Sequence, residues 1–237
     1  MHISVLKTEV IESLAVKAGG WYIDGTFGRG GHTSEVLALG GNVVAFDMDE
    51  DAHEFAMQNF SEPIEQGKLK MVRANFAQLS IELEKLGFTR GTLAGAMFDL
   101  GMSSNQIDES GRGFTFQKNE PLDMRMDENQ GVTAADLLNA LPEKHLKTMF
   151  WENSQETFAS IIAREIVKRR EKKPWKTTHE LADLIEKIKR GRKAGHIHPA
   201  TKVFQALRMA VNTELDNLTV LLDQLPSWIA PGGRIVF

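Results

Sequence analysis

Along the first hundred residues, short apolar runs alternate with longer stretches in which apolar positions recur at helical spacing. The short runs predict strands and the longer stretches predict helices, in the order strand 21–24, helix 31–39, strand 42–47, helix 50–60, strand 69–73, helix 76–86 and strand 93–99. Strands separated by helices of this length are typical of βαβ units and therefore of parallel sheets. The pattern predicts an open, doubly wound α/β sheet.

This alternation stops after Asp99. Residues 101–135 are rich in Gly, Ser, Asn, Asp and Pro and predict a long loop, and long loops inside compact domains tend to be functional. Helical patterns fill 136–190, and one long helix is then predicted from about Thr201 to Leu225. A last apolar run begins at Pro231 and predicts a further strand. We therefore expect one sheet domain interrupted by a mostly helical insert, with the parts 1–105, 106–200 and 201–237.

The last apolar run reaches Phe237, where the sequence stops. Because chains rarely end in the middle of a strand, we expect the natural protein to continue beyond this residue. On that expectation the second part of the sheet domain is incomplete at its C-terminal side.

Composition excludes several classes of protein. The 237 residues include no Cys, which excludes disulfide frameworks, thiolate nucleophiles and Cys-ligated metals and favours a reducing, cytoplasmic location. With 42% hydrophobic and 8% aromatic residues the chain can bury a core, so a disordered protein is excluded. No stretch approaches the roughly 20 apolar residues of a membrane span. We therefore expect no membrane partner. We also expect no metal partner, because His196 and His198 lack the spacing of a zinc site.

The net charge of −4 is unevenly distributed. Residues 164–202 contain 13 Lys and Arg and five acidic residues, a local charge of +8 that leaves −12 for the rest of the chain. A strongly basic block in an acidic protein indicates contact with a polyanion, whereas the commoner meaning of a Lys/Arg run is a solvated helix face. Both interpretations stay open at this point.

A glycine-rich turn, Asp24-Gly-Thr-Phe-Gly-Arg-Gly-Gly-His32, joins the first predicted strand to the first predicted helix. Open parallel sheets bind nucleotides at this place, beyond the carboxyl ends of their strands. Glycines in the turn permit the backbone to approach a ligand and leave N–H groups for it. Asp47 ends the second predicted strand, where a carboxylate accepts both hydroxyls of a ribose. The residues predicted to bind a cofactor here are Asp24, Gly28, Gly30, Gly31 and Asp47.

The same turn narrows the choice of cofactor. A dinucleotide fingerprint that begins at Gly28 needs glycine at position 33, where this chain has Thr33, and the turn lacks the Gly-Lys-Ser/Thr of a Walker loop. An acidic strand end followed by G-x-F-G-x-G-G is similar to the first motif of S-adenosylmethionine-dependent methyltransferases. Asp99 closes the fourth predicted strand, where amino-methylating enzymes place an acidic or amide residue. A methyltransferase is favoured, and an NAD(P)-dependent oxidoreductase stays as the alternative.

Four longer strings carry a family resemblance. They are Asp99-Leu-Gly-Met-Ser-Ser-Asn-Gln106, Arg112-Gly-Phe-Thr-Phe116, Pro121-Leu-Asp-Met-Arg-Met-Asp127 and His198-Pro-Ala-Thr-Lys-Val-Phe-Gln-Ala-Leu-Arg208, the last followed by Val211-Asn212. Together they resemble the RsmH (MraW) family of bacterial methyltransferases, which modify N4 of a cytidine in the decoding region of 16S ribosomal RNA. The resemblance implies a Rossmann-like class I methyltransferase fold, S-adenosylmethionine as cofactor, and 16S ribosomal RNA within the small subunit as partner.

The resemblance also implies the cofactor contacts. These are Gly30, Gly31 and His32 in the first motif, Asp47 at the ribose, Phe76 near the adenine, and Asp99 and Gln106 near the methionine end. Taken alone, His32 suits a helix N-terminus, Phe76 a core aromatic and Gln106 a loop surface. The chain departs from the family at Asn153-Ser-Gln-Glu156, where Tyr-Gly-Glu-Glu is usual, at Asn105, where Pro is usual, and at Lys202, where Arg is usual. These departures bear on the RNA contact rather than on the reaction.

Methylation of a cytosine amine sets a chemical requirement. The N4 lone pair is delocalised into the ring, so the site must accept hydrogen bonds from the N–H groups and hold the nitrogen in line with the methyl group. We expect Asp99, Ser103 and Ser104 to supply this polar environment. Asp99 is either the acceptor for N4–H or the residue that orients the amino acid group of the cofactor, and the sequence does not separate these roles.

The substrate base must also leave its stack to reach a buried methyl group. Phe114 and Phe116 are candidates for a stacking surface, and the alternative is that they anchor the loop in a core. Asp123, Arg125 and Asp127 either hold the base or a phosphate, or form a structural ion-pair network. The expected phosphate contacts are Lys202, Arg208 and the basic helix around 164–173.

A non-catalytic RNA-binding protein with a vestigial cofactor fold is the main alternative from another class. It predicts loss of the strand-end carboxylates, yet Asp24, Asp47 and Asp99 are all present. The oligomeric state, monomer or homodimer, stays open.

Overall fold

The computed structural model describes residues 6–101, 111–129, 131–190 and 198–237. The chain forms two compact units. The first, the sheet unit, consists of Met1–Gly101 and Leu215–Phe237, and the second, the helical unit, is Met102–Glu214.

The sheet unit contains five strands, all parallel to their neighbours, in the order β3-β2-β1-β4-β5. Their bounds are β1 Trp21–Asp24, β2 Asn42–Asp47, β3 Leu69–Arg73, β4 Leu93–Met97 and β5 Ile229–Val236. Helices cover both faces of the sheet. Successive residues of a strand point to opposite faces, and the side chains on each face pack in a separate hydrophobic cluster. Tyr22 packs in a cluster with Val36, whereas Ile23 packs in another with Trp228. The predicted doubly wound α/β class is confirmed.

The helices predicted at 31–39, 50–60 and 76–86 are present with small shifts at their ends, and four helices lie over 134–189, close to the predicted helical stretch 136–190. Two further helices, Lys7–Leu14 and Ser61–Glu65, were not predicted. In chain order the helices are α1 Lys7–Leu14, α2 Gly31–Ala38, α3 Glu50–Asn59, α4 Ser61–Glu65, α5 Leu79–Lys85, α6 Ala134–Ala140, α7 Glu143–Ser154, α8 Ala159–Arg170, α9 Thr178–Lys189, α10 Thr201–Val211 and α11 Glu214–Gln224. Two 3₁₀ turns, Phe76–Gln78 and Leu225–Ser227, precede α5 and follow α11. Among the described residues, no helix is long and apolar enough to cross a membrane.

The helical unit has its own hydrophobic core. The indole of Trp175 is 1% exposed and donates a hydrogen bond from Nε1 to the carbonyl of Ile166, while Phe150 and Ile162 are fully buried beside it. Helix α9 contributes Leu181 and Ile185, one turn apart on the same face. A buried cluster of this size is what an inserted helical unit needs to be stable.

The structure divides the chain at a different place from the predicted boundary at residue 200. Helix α10 belongs to the helical unit because its buried residues Val203, Phe204 and Leu207 lie in that unit's core. The prediction of one helix over Thr201–Leu225 is wrong, since the helix breaks between α10 and α11. At the break Thr213 has a φ of 48°, in the left-handed region.

Candidate active site

The glycine turn between β1 and α2 requires glycine at two of the predicted positions. Gly28 and Gly30 have φ values of 55° and 70°, a region that side chains disfavour. A Cβ added at Gly30 would lie 2.5 Å from the Phe60 ring and 2.7 Å from the Phe27 ring, so the site has no room for one. At Gly28 an added Cβ would meet nothing within 4 Å, which leaves the backbone there approachable. Gly31 is the first residue of α2.

Asp47 ends β2 and connects the turn after β1 to the turn after β2. Its Oδ2 accepts a hydrogen bond from the Gly28 N–H at 2.8 Å, and its Oδ1 accepts one from the Asp49 N–H at 3.0 Å. Burial raises the pKa of Asp47 to about 6, although these two hydrogen bonds favour the ionised form. Each carboxylate oxygen has a second lone pair, so the group can also accept from two ribose hydroxyls.

The raised pKa of Asp47 makes the free energy of unfolding depend on pH. The folded state binds the proton more tightly than an unfolded chain does at the ordinary value of 3.8. The stabilising contribution of Asp47 is therefore fully present below pH 3.8 and is lost as the pH rises through 6. Stability is given up at neutral pH to keep an ionised carboxylate at this edge of the sheet.

Asp24 ends β1 and is 2% exposed. Its Oδ2 accepts from the Thr33 hydroxyl at 2.6 Å and its Oδ1 from the Thr26 N–H at 3.1 Å. Burial raises its pKa, and these two hydrogen bonds act in the opposite direction. Asp24 thus stabilises the glycine turn through its hydrogen bonds to Thr26 and Thr33.

Asp99 lies two residues beyond β4, which ends at Met97 rather than at Asp99 as predicted. Its side chain is exposed, and its backbone N–H donates to Thr26 Oγ1 at 2.7 Å. Because β1 and β4 are neighbours, Asp99 lies beside the glycine turn, close enough for its charge to raise the pKa of Asp24. The structure therefore brings Asp24, Asp47 and Asp99 to the same edge of the sheet.

The other predicted cofactor contacts differ in how far they are described. His32 is the second residue of α2 and is 8% exposed. Phe76 follows β3 and packs against the core, with its ring edge-on to Phe98 at 6.1 Å between centroids. The remaining candidates, Ser103, Ser104 and Gln106, lie outside the described residues. Over the described ranges, no group of three or more acidic or His side chains is placed to hold a metal ion.

The two aromatic candidates for base stacking pack within the helical unit. Phe114 is 6% exposed in its core, and the Arg112 guanidinium lies 5.5 Å from the ring centroid. Phe116 stacks on His198 with centroids 4.2 Å apart and meets Phe204 edge-on at 5.1 Å. Of the two interpretations offered by the sequence, the geometry favours the anchored loop.

Asp123 and Arg125 form an ion pair with each other. Arg125 donates from Nε and Nη2 to the two oxygens of Asp123, both at 2.7 Å, and from Nη1 to the Glu128 carbonyl at 2.6 Å. Burial opposes ionisation of Asp123, but the hydrogen bonds from Arg125 outweigh it and lower the pKa of Asp123. This arrangement is the structural network that the sequence left open as the alternative.

The predicted phosphate contacts are also engaged inside the helical unit. Arg208 forms a bidentate pair with Glu214 at 2.6 and 2.7 Å, and Lys202 donates to the Gln155 carbonyl at the end of α7. In the basic block, the Arg169 guanidinium lies 3.8 Å from the Trp175 ring centroid, and Arg170 donates to two backbone carbonyls. Arg169 and Arg170 therefore stabilise the fold of this unit, and any RNA contact by these four side chains competes with these interactions.

Two Thr residues, one in the turn and one in α2, were missed by sequence reasoning. Thr33 was used only to exclude a dinucleotide fingerprint, although its hydroxyl donates to the buried Asp24. Thr26 was not considered, although its N–H donates to Asp24 and its hydroxyl accepts from the Asp99 N–H. The available signal was the position of two Thr residues, two and nine residues after an acidic strand end.

These residues fit S-adenosylmethionine. Asp47 offers acceptors for the ribose hydroxyls, the turn at Gly28 is open to backbone approach, and the exposed Asp99 lies next to it at the switch point between β1 and β4. The fold and this edge of the sheet define a class I, S-adenosylmethionine-dependent methyltransferase.

Comparison with known proteins assigns the family. The model of the MraW methylase family matches residues 1–237, and the chain belongs to that family. A protein of Geotalea uraniireducens named ribosomal RNA small subunit methyltransferase H is 43% identical over 98% of this chain and 75% of its own. A protein of the same name from Lactobacillus helveticus is 44% identical over 99% of this chain and 76% of its own. Among solved structures, the C-terminal domain of a precorrin-6Y C5,15-methyltransferase from Rhodobacter capsulatus is 17% identical with a TM-score of 0.34, covering 42% of this chain and 50% of that one.

Proposed function

We propose that this chain transfers the methyl group of S-adenosylmethionine to N4 of a cytidine in the decoding region of 16S ribosomal RNA. The relatives named ribosomal RNA small subunit methyltransferase H support the RNA substrate. The observation that carries the chemistry is the exposed carboxylate of Asp99, which lies two residues beyond β4 and beside the glycine turn. We further propose the cytoplasm as the location, on the ground that the chain has no Cys.

Asp99 is proposed to act on the exocyclic amine. When bound, the cofactor supplies an electrophilic methyl group on a sulfonium. A carboxylate that accepts an N4–H hydrogen bond draws the lone pair back onto nitrogen, and it is also placed to receive the proton that the amine must lose. Ser103 and Ser104, four and five residues further on, are proposed to accept or donate at the same amine.

The helical unit is proposed to bind the RNA. Its basic block carries +8 between residues 164 and 202, and all of this stretch belongs to the helical unit. Among the predicted contacts Lys202 is the better candidate for a phosphate, because a carbonyl binds an ammonium less tightly than the carboxylate of Glu214 binds Arg208.

The proposed reaction is tested by incubating the chain with radiolabelled S-adenosylmethionine and either small ribosomal subunits or free 16S RNA. We expect label on N4 of one cytidine, located by nuclease digestion and mass spectrometry. Calorimetric titration should show binding of S-adenosylmethionine and none of NADH. Binding of NADH would favour an oxidoreductase, whereas RNA binding without cofactor binding would favour the non-catalytic alternative.

Cofactor affinity is expected to depend on pH through Asp47. Because burial raises its pKa to about 6, the carboxylate is ionised at pH 7.5 and mostly protonated at pH 5. If the ionised form binds the ribose, the Kd for S-adenosylmethionine should rise about tenfold at pH 5. Asp47→Asn should bind more weakly at pH 7.5 and lose this dependence. A wild-type Kd that stays constant over this range would contradict the assignment.

A further inference from the structure

A chain of three hydrogen bonds connects helix α2 to Asp99. The Thr33 hydroxyl donates to Asp24 Oδ2 at 2.6 Å, the Thr26 N–H donates to Asp24 Oδ1 at 3.1 Å, and the Asp99 N–H donates to Thr26 Oγ1 at 2.7 Å. Thr26 connects the two carboxylate residues, since its N–H donates to the Asp24 side chain and its hydroxyl accepts from the Asp99 N–H. Neither the family match nor the names of the relatives assigns a role to this residue.

The ends of β1 and β4 are in close contact around this chain of bonds. The Gly25 N–H donates to the Met97 carbonyl at 2.9 Å, and a Cβ added at Gly25 would lie 2.0 Å from the Phe98 ring. The Phe98 N–H in turn bonds to the Val236 carbonyl of β5. Asp99 is thus the first residue after β4 whose N–H does not bond to the backbone of a neighbouring strand. It donates instead to the Thr26 side chain.

We infer that Thr26 is a positioning residue, which fixes the backbone of Asp99 so that the exposed carboxylate is presented beside the glycine turn. The inference rests on the role proposed for Asp99. A displacement of about 1 Å at a reacting group costs up to about 100-fold in rate, so one hydrogen bond at this place is enough to affect turnover. Thr26 acts through Asp99 and does not itself touch the substrate.

Thr26→Val tests the inference, because valine keeps the shape of the side chain and removes the acceptor. We expect kcat to fall about 10- to 100-fold, with the KM for S-adenosylmethionine changed less than threefold. Thr26→Ser keeps the hydroxyl and should restore kcat. The matched control is Thr92→Val, which removes a hydroxyl bonded to the Thr89 carbonyl before β4 and should leave kcat unchanged. A rise in KM with kcat intact would mean that Thr26 only shapes the cofactor turn, and it would overturn the inference.

Two further measurements distinguish failure of the inference from failure of the proposed function. In a double-mutant cycle, Thr26→Val should add little to the loss caused by Asp99→Asn, and fully multiplicative losses would overturn the inference. Hydrogen exchange of the Asp99 amide should accelerate in Thr26→Val and not in Thr26→Ser, and unchanged exchange would also overturn it. If Asp99→Asn turns over normally, the role proposed for Asp99 fails, whereas the exchange result still reports whether Thr26 holds its backbone.

Discussion

Asp99→Ala is expected to abolish methyl transfer, with a loss of at least about 1,000-fold in kcat. Alanine removes the carboxylate that we propose accepts the N4–H hydrogen bond. The backbone N–H that bonds to Thr26 remains, and the side chain is exposed, so the fold should be unaffected. The rate is measured with radiolabelled cofactor and small subunits, and cofactor affinity is measured separately by calorimetry.

The affinity measurement separates the two roles that the sequence leaves open for Asp99. Loss of transfer with cofactor affinity kept within about threefold assigns the carboxylate to the amine. Loss of both assigns it to the amino acid group of the cofactor. Near-normal turnover with intact affinity would contradict both roles. Asp223→Ala, which removes an acidic side chain near the end of α11, serves as the matched control. It should change neither the rate of transfer nor the cofactor affinity.

Asn212→Ala should strongly destabilise the helical unit, although the side chain lies outside its apolar core. The Asn212 side chain accepts from the Met126 N–H at 2.8 Å and donates to the carbonyls of Met124 and Arg208 at 2.8 and 2.9 Å. The residue is 8% exposed, so alanine leaves buried backbone groups without these partners. We expect a loss of about 3 kcal/mol in the free energy of unfolding, measured by urea titration.

Asn153→Ala provides the control for this prediction. Its side chain also donates to a backbone carbonyl in the same unit, that of Ala206 at 3.1 Å, but it lies in a partly buried position. We expect a loss of about 1 kcal/mol. Equal losses from the two substitutions would mean that Asn212 does not hold the loop at Met124 and Met126.

Local periodicity was sufficient to predict the central strands, because β1, β2 and β4 are buried on both faces and each is a short, mostly apolar run. The predicted bounds of β1, β2 and β3 agree with the structure. Periodicity was not sufficient at the break after α10, where apolar spacing continues across residues 212 and 213. The break comes with long-range hydrogen bonds of Asn212, whose partners Met124 and Met126 lie more than 80 residues earlier in the chain.

The candidate site, too, was predictable from the sequence only in part. Asp47 and Asp99 were predicted from the sequence because a carboxylate at or just beyond a strand end is typical of a nucleotide site in a parallel sheet. The long strings that carry the family resemblance also hold one another together, a property that the sequence does not display. Arg112 of one string donates to the carbonyls of Arg125 and Met126 in the next, and Asn212 bonds to that same segment. Long strings of this kind need not consist of substrate contacts alone.

The pairing of β4 with β5 has a consequence for the order of folding. Leu93 pairs with Ile229, so the two strands are separated by about 136 positions, and closing a loop of that length costs roughly 4 kcal/mol of chain entropy. The helical unit lies wholly within this interval and makes its contacts over shorter distances along the chain. During synthesis the helical unit can therefore be complete before β5 has emerged. Until β5 arrives, β4 is an unpaired sheet edge that is open to aggregation.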